Sequence, residues 1–287
     1  MPVLSIIACA MLEDELVHVL SKDNAISQLI VVENAGNLGF LRKLKSKNCT
    51  LRTVFFDKLP FFLGEKTILR PSSLIKFVSA FPILRKIIEN KKNKAENEIT
   101  VIVNMLKLGL HADIVSLRTE VYRSIREMAL FSDGILIFYG TCGYSLGQLE
   151  SDFAALKCPL FFLRDNNGEI VEDCISLALG GNEAYARAMT EFRGKGTMYL
   201  TPMWASSWKK FQKKNQDFNN KYLKNSFYCL LAKIDTGTEN SPEFHRNVEE
   251  FACEFDMQII DLKGNVEIAE QAYSKARNSL RSKNKAL

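Results

Sequence analysis

The sequence predicts an α/β fold, a mainly parallel Rossmann-like sheet with helices on both faces, built as one domain or two tightly packed lobes. Three observations lead there. Short apolar runs without polar alternation recur at residues 3–8, 135–139 and 159–163, as in strands covered on both faces. Segments with helical spacing follow the runs, so strand and helix alternate along the chain. Gly140 and Gly143 follow the run at 135–139. They allow a sharp turn at the strand's carboxyl end, which is the end where open α/β sheets bind ligands.

The elements follow in order. The first strand, 3–8, stops at Cys9. Over residues 12–20, Leu12, Leu16, Val19 and Leu20 share one helical face, with Glu13 and Asp14 on the other. A strand is expected at 28–33, a turn at 34–39 and a short helix at 38–44. Residues 55–98 break the pattern. Phe55, Phe56, Phe61, Phe62, Phe77 and Phe81 are interrupted by Pro60, Pro71 and Pro82, and a polar run closes the segment. It reads as a helical insertion packed on the core, with a partner-binding surface as the alternative.

An amphipathic helix over 117–130 leads into the central strand, 135–139. A return helix over 145–156, a strand over 159–163 and an Asn-Gly turn within 165–169 come next. Helices at 174–179 and 183–192 are separated by Gly180-Gly181. Strands at 196–200, 227–234 and 258–262 then alternate with helices at 208–224, 244–255 and 268–280. Residues 281–287 read as a disordered basic tail.

Composition narrows the function classes. The chain has 287 residues, 47% of them hydrophobic, enough for a full core. Its formal charge of +5 is spread out, and the basic runs at 85–94 and 209–224 read as solvated faces rather than a nucleic-acid surface. Ile6-Ile7-Ala8-Cys9 looks like a lipoprotein cleavage site, but no basic residue precedes it and Glu13, Asp14 and Glu15 follow at once. No stretch reaches the roughly 18 apolar residues of a membrane span. Seven cysteines, an odd number in a chain of this size, do not suggest a disulfide framework. A reduced cytoplasm is the expected setting. The glycines at 36–39 and 140–147 match neither a GxGxxG nor a Walker loop, and no Ser-His-Asp arrangement is visible.

Three cysteines share one context. Cys9 and Cys142 follow strands, and Cys174 opens a helix after a strand. A helix N-terminus lowers a thiol's pKa, which favours thiolate at Cys174. Cys49, Cys158, Cys229 and Cys253 read as packing. A lone cysteine is more often a small buried hydrophobe than a ligand, so Cys142 gains weight only from its company. Among the histidines, His111 stands out in a Gly-Leu-His-Ala-Asp turn, whereas His18 and His245 read as surface residues. Three thiolates gathered by a parallel sheet would make a metal or cluster site, although no CxxC motif supports one.

The sequence also resembles the domain-of-unknown-function 1638 family, α/β proteins found mostly in anaerobic bacteria and methanogenic archaea. Ile6-Ile-Ala-Cys9 with Glu15, Gly109-Leu-His111, Phe138-Tyr-Gly-Thr-Cys-Gly143, Asp173-Cys-Ile175 with Leu179-Gly180, Tyr185, and Gly196-Thr-Met-Tyr-Leu-Thr201 with Trp204 carry the resemblance. They run in the family's order. The resemblance implies a ligand set of Cys9, His111, Cys142 and Cys174, the composition of a tetrahedral zinc site or of a thiolate site for iron or another soft metal. It also implies an association with corrinoid-dependent methyl transfer and one-carbon metabolism. The chain departs from the family pattern at Ala10, at Glu172 in place of a His, and in the insertion at 55–98.

Three readings follow. The first is a metal-binding protein of anaerobic one-carbon metabolism. It would hold zinc, or alternatively iron or an iron–sulfur cluster, with a corrinoid as a further cofactor and a corrinoid protein or methyltransferase as partner. Glu15, a turn and a half beyond Cys9, would orient a ligand or move a proton. The second is a metal-free thiol enzyme with Cys142 as nucleophile and His111 as base. The third is a non-catalytic accessory protein docking through the aromatic insertion and the Trp204–Trp208 region.

Overall fold

The computed structural model describes residues 1–34, 36–60, 62–63, 98–214, 228–238 and 242–285. Most of the insertion expected at 55–98, and residues 215–224 of the helix expected at 208–224, lie outside them. Six strands form one all-parallel sheet in the order β3-β2-β4-β1-β5-β6: β1 Val3–Cys9, β2 Ile26–Val32, β3 Leu51–Val54, β4 Ile99–Leu106, β5 Gly134–Phe138 and β6 Leu160–Phe162. A smaller parallel sheet joins β7 Gly196–Leu200, β8 Tyr228–Asp235 and β9 Gln258–Lys263 in that order.

The alternation of side chains along β1 sorts the helices. Leu4, Ile6 and Ala8 face one layer, built from α1 Glu13–Lys22, α2 Leu38–Ser46 and α9 Glu267–Lys285. Ile7 faces the other, built chiefly from α3 Ile114–Met128 and the loop around α4 Leu149–Asp152. β1 lies between β4 and β5. It is followed by α1 on one face, while β4 is followed by α3 on the opposite face. Diverging connections of this kind leave a crevice beyond the carboxyl ends of the strands. Beyond β6 the chain forms α5 Cys174–Leu179 and α6 Asn182–Glu191. In the second sheet, α7 Pro202–Lys214 and α8 Pro242–Phe255 pack around Trp208, Phe251 and Phe255. α9 then returns to the first sheet, where Tyr273, Ala276 and Leu280 enter its core.

Several expectations are corrected. β3 and β4 were not anticipated, and β4 is buried along its whole length. The return helix expected at 145–156 is only the four-residue α4, because Tyr144 at φ 66 and Gly143 at φ 65 hold the preceding loop in a left-handed turn. Glu13 and Asp14, placed on the face opposite the leucines, are nevertheless buried, and both pair with Lys43, 3.2 Å from Glu13. His18 is partly buried and bonded to Glu270 at 2.7 Å. Cys229 and Cys253 are exposed rather than packed. α9 continues helically to Lys285, through most of the expected tail. Among the described residues no helix is long and apolar enough to cross a membrane.

Candidate functional site

The carboxyl ends of β1, β4 and β5 open on a cleft of about 470 Å³, lined by Cys9, His111, Cys142 and Cys174. All four residues of the expected ligand set therefore face one space, each delivered by a different element. Cys9 is the last residue of β1. His111 sits in a single 3-10 turn after β4, preceded by Gly109 at φ +78. A Cβ on Gly109 would stand 2.8 Å from the Phe211 ring, so side-chain bulk and backbone angle both call for glycine.

Cys142 is placed by a backbone zipper. After β6 the chain doubles back, and Val171 N donates to Leu163 O at 3.0 Å. Thr141 N then donates to Val171 O at 2.9 Å, and Cys142 N to Glu172 O at 2.7 Å. The approach is so close that a Cβ on Gly140 would lie 2.7 Å from three backbone atoms of residues 171–173. Cys142 itself adopts φ 46, and with Gly143 and Tyr144 it forms three successive left-handed residues. Such conformations are unfavourable outside glycine and cluster at functional sites. The same zipper brings up Asp173, whose Oδ1 accepts from Ile175 N (2.9 Å) and Ser176 N (2.8 Å) and so caps α5. Cys174 is the first residue of that helix.

The electrostatics tie the thiols together. Burial, then the neighbouring Cys142, pushes Cys9 up to about 12. Burial pushes Cys142 up to about 12, with Cys174 and Asp173 adding to it. Cys174 is raised well above the ordinary thiol range by burial, then by Asp173 and Cys9. Each thiol is thus raised by one of the others, Cys9 by Cys142, Cys142 by Cys174 and Cys174 by Cys9. The expected lowering of Cys174 by its helix is overturned. α5 has only six residues, the capping carboxylate of Asp173 offsets its partial positive charge, and burial outweighs what remains. His111 is exposed at the rim. Packing of its ring against the cleft wall lowers its pKa, with Asp173 opposing. No Lys or Arg among the described residues lines the cleft.

Glu15 lies behind the cleft rather than in it. It is 2% exposed, its Oε2 has no hydrogen-bond partner, and burial followed by Asp14 pushes it up to about 8. Its charge reaches Cys9 and Cys174 from that side. Glu172 is exposed and uses its carbonyl, not its carboxylate, against the Cys142 loop. Trp208 is buried in the core of the second sheet, which removes it from any docking surface. Phe55 is exposed, and most of the aromatic segment beyond it lies outside the described residues.

Sequence reasoning missed Asp173, Tyr139 and Tyr199 as cleft residues. An Asp directly before a helical run is an N-cap signal, and it could have flagged Asp173. The buried Tyr139 hydroxyl sits beside the Cys9 sulfur without a partner at hydrogen-bonding geometry, and the Trp204 indole N–H approaches the Cys174 sulfur as donor.

In donor type the cleft suits a soft metal, with three thiols and one imidazole in reach of one space. Among the described residues no three His, Cys, Asp or Glu side chains are already gathered closely enough to hold an ion. Residues 105–273 match the family described as Protein of unknown function (DUF1638). The chain belongs to this family. The DUF1638 match takes in His111, Cys142, Asp173 and Cys174 and begins after Cys9 and Glu15. No curated protein matches the chain.

Proposed function

We propose that this DUF1638 protein is a metal-binding protein whose cleft holds a thiophilic ion, zinc first, through Cys9, Cys142, Cys174 and His111. The observation that carries the reading is the convergence of three thiols and an imidazole on one cleft at the carboxyl ends of a parallel sheet. Protonation supports it as well. Burial and mutual repulsion disfavour thiolate at all three, and among the described residues no Lys or Arg lines the cleft to stabilise one. A bound metal would supply that positive charge; held by all four residues it would be closed and structural, and held by three it would act as a Lewis acid towards a thiol or water in the open fourth position. The chain's own contribution is to orient the donors. Trp204 donates towards Cys174, Tyr139 stands at Cys9, and the left-handed loop presents Cys142. Glu15, with its raised pKa behind Cys9 and Cys174, is suited to accept or return a proton on that side.

The metal-free thiol enzyme is less well supported, because burial and the facing Asp173 disfavour thiolate at Cys142. The wider role, in anaerobic one-carbon metabolism beside a corrinoid protein or methyltransferase, is supported by the family resemblance.

Metal and acid-labile sulfide analysis of anaerobically purified protein tests the reading. Stoichiometric zinc in the wild-type protein is the expected result. It should be lost on Cys9→Ser, Cys142→Ser or Cys174→Ser and kept on Cys229→Ser. Iron with sulfide would replace zinc by a cluster on the same thiols. A wild-type protein without metal, or one whose metal survives all three substitutions, would overturn the assignment.

A further inference from the structure

The cleft is as aromatic as it is thiol-rich. Tyr185 from α6 and Tyr199 from β7 meet edge to face, with ring centroids 5.6 Å apart at 90°. Trp204 adds a third wall, its ring 5.9 Å from that of His111. Tyr139 and Tyr228 also line the space. The chain carries 38 Lys and Arg, yet among the described residues none lines this cleft and Asp173 is its one carboxylate. The charge of Asp173 reaches His111, Cys142, Cys174 and Tyr185.

These features select by charge and hydration. An anion meets a carboxylate and the negative faces of aromatic rings, with no compensating cation. A compact, strongly hydrated cation loses too much hydration in an aromatic space. A neutral apolar ligand gains nothing from Asp173. A methylated ammonium ion is weakly hydrated and spreads its charge over its methyl groups, which perpendicular aromatic walls hold well.

We propose that the cleft binds a methylated ammonium ion, with Tyr185, Tyr199 and Trp204 as walls and Asp173 as counter-charge. The proposal builds on the metal-site reading by naming the ligand that would sit beside the thiols, but its residues are not metal ligands, so the two can fail separately.

Calorimetric titration with choline, and with its neutral isostere 3,3-dimethylbutan-1-ol, tests it on both chelator-treated and zinc-loaded protein. Choline should bind at least about tenfold more tightly than the isostere. Tyr185→Leu should weaken choline by about tenfold or more. Asp173→Asn, which keeps a capping side chain, should weaken choline and leave the isostere unchanged. Cys142→Ser should still bind choline. Equal binding of the two probes, or no choline binding by protein whose near-ultraviolet dichroism shows it folded, would overturn the proposal. Choline binding by a protein that takes up no metal would leave the cage standing and remove the metal site.

Discussion

At Gly140 the absence of one methyl group decides where Cys142 can sit. Alanine there would press its Cβ onto three backbone atoms at 2.7 Å, none of which belongs to a flexible side chain. Gly140→Ala should cost about 1–3 kcal/mol, read from the urea midpoint, and should weaken metal binding as the zipper to residues 171–173 opens. Gly143→Ala is the informative contrast, because a Cβ there meets nothing but the backbone is at φ +65. It should cost about 1 kcal/mol from conformation alone and leave the zipper intact. Glu15 supplies the pH signature at this scale. Its carboxyl is raised from 4.5 to about 8 in the folded chain. Between those values the unfolded chain releases a proton that the folded chain keeps, so rising pH destabilises the fold across that window and stops doing so above it. Glu15→Gln should therefore gain stability relative to wild type as pH rises from about 4.5 to about 8. Parallel urea titrations of the metal-free proteins would show this, and a constant difference across the window would contradict it.

Two elements are fixed by single carboxylates. Asp173 caps α5 with two backbone hydrogen bonds. Asp173→Ala should cost about 1 kcal/mol, whereas Asp173→Asn should stay near wild type. α9 is fixed to the first sheet's helical layer by Asp23, whose side chain is 4% exposed. Arg277 donates to it at 2.6 Å and Tyr273 at 2.8 Å. Asp23→Ala strands both donors in a mostly buried place and should cost about 2–3 kcal/mol. Thermal or urea unfolding would measure it. A change below about 0.5 kcal/mol would mean that α9 is held by apolar packing alone.

At the scale of the whole molecule, topology turns distant residues into one site. β1, β4 and β5 are neighbours in the sheet, so chain positions about a hundred residues apart meet at their carboxyl ends. Part of this was legible in the sequence. β1, β5 and the strands of the second sheet announce themselves as short apolar runs, and a cysteine at such a strand's end lies where parallel sheets bind ligands. β4 was hidden because it follows a polar run and carries Asn104, whose amide nitrogen donates to the Ser124 hydroxyl at 3.2 Å across the sheet–helix interface. β3 is a four-residue, half-exposed strand with no clear period. The burial of Glu13 and Asp14 depends on Lys43, a partner on another helix. The position of Asp173 depends on a backbone zipper that no local pattern encodes. Such pairings are set by non-local geometry, and periodicity reports only local faces.

The central claim, that three thiols and one imidazole share a metal, is tested most directly by X-ray absorption at the zinc edge of zinc-loaded protein. The account predicts a shell dominated by sulfur at about 2.3 Å with one nitrogen at about 2.0 Å, and loss of that sulfur-rich shell, with the stoichiometric zinc, in each of Cys9→Ser, Cys142→Ser and Cys174→Ser. A shell of nitrogen and oxygen only, or one unchanged by those substitutions, would contradict it.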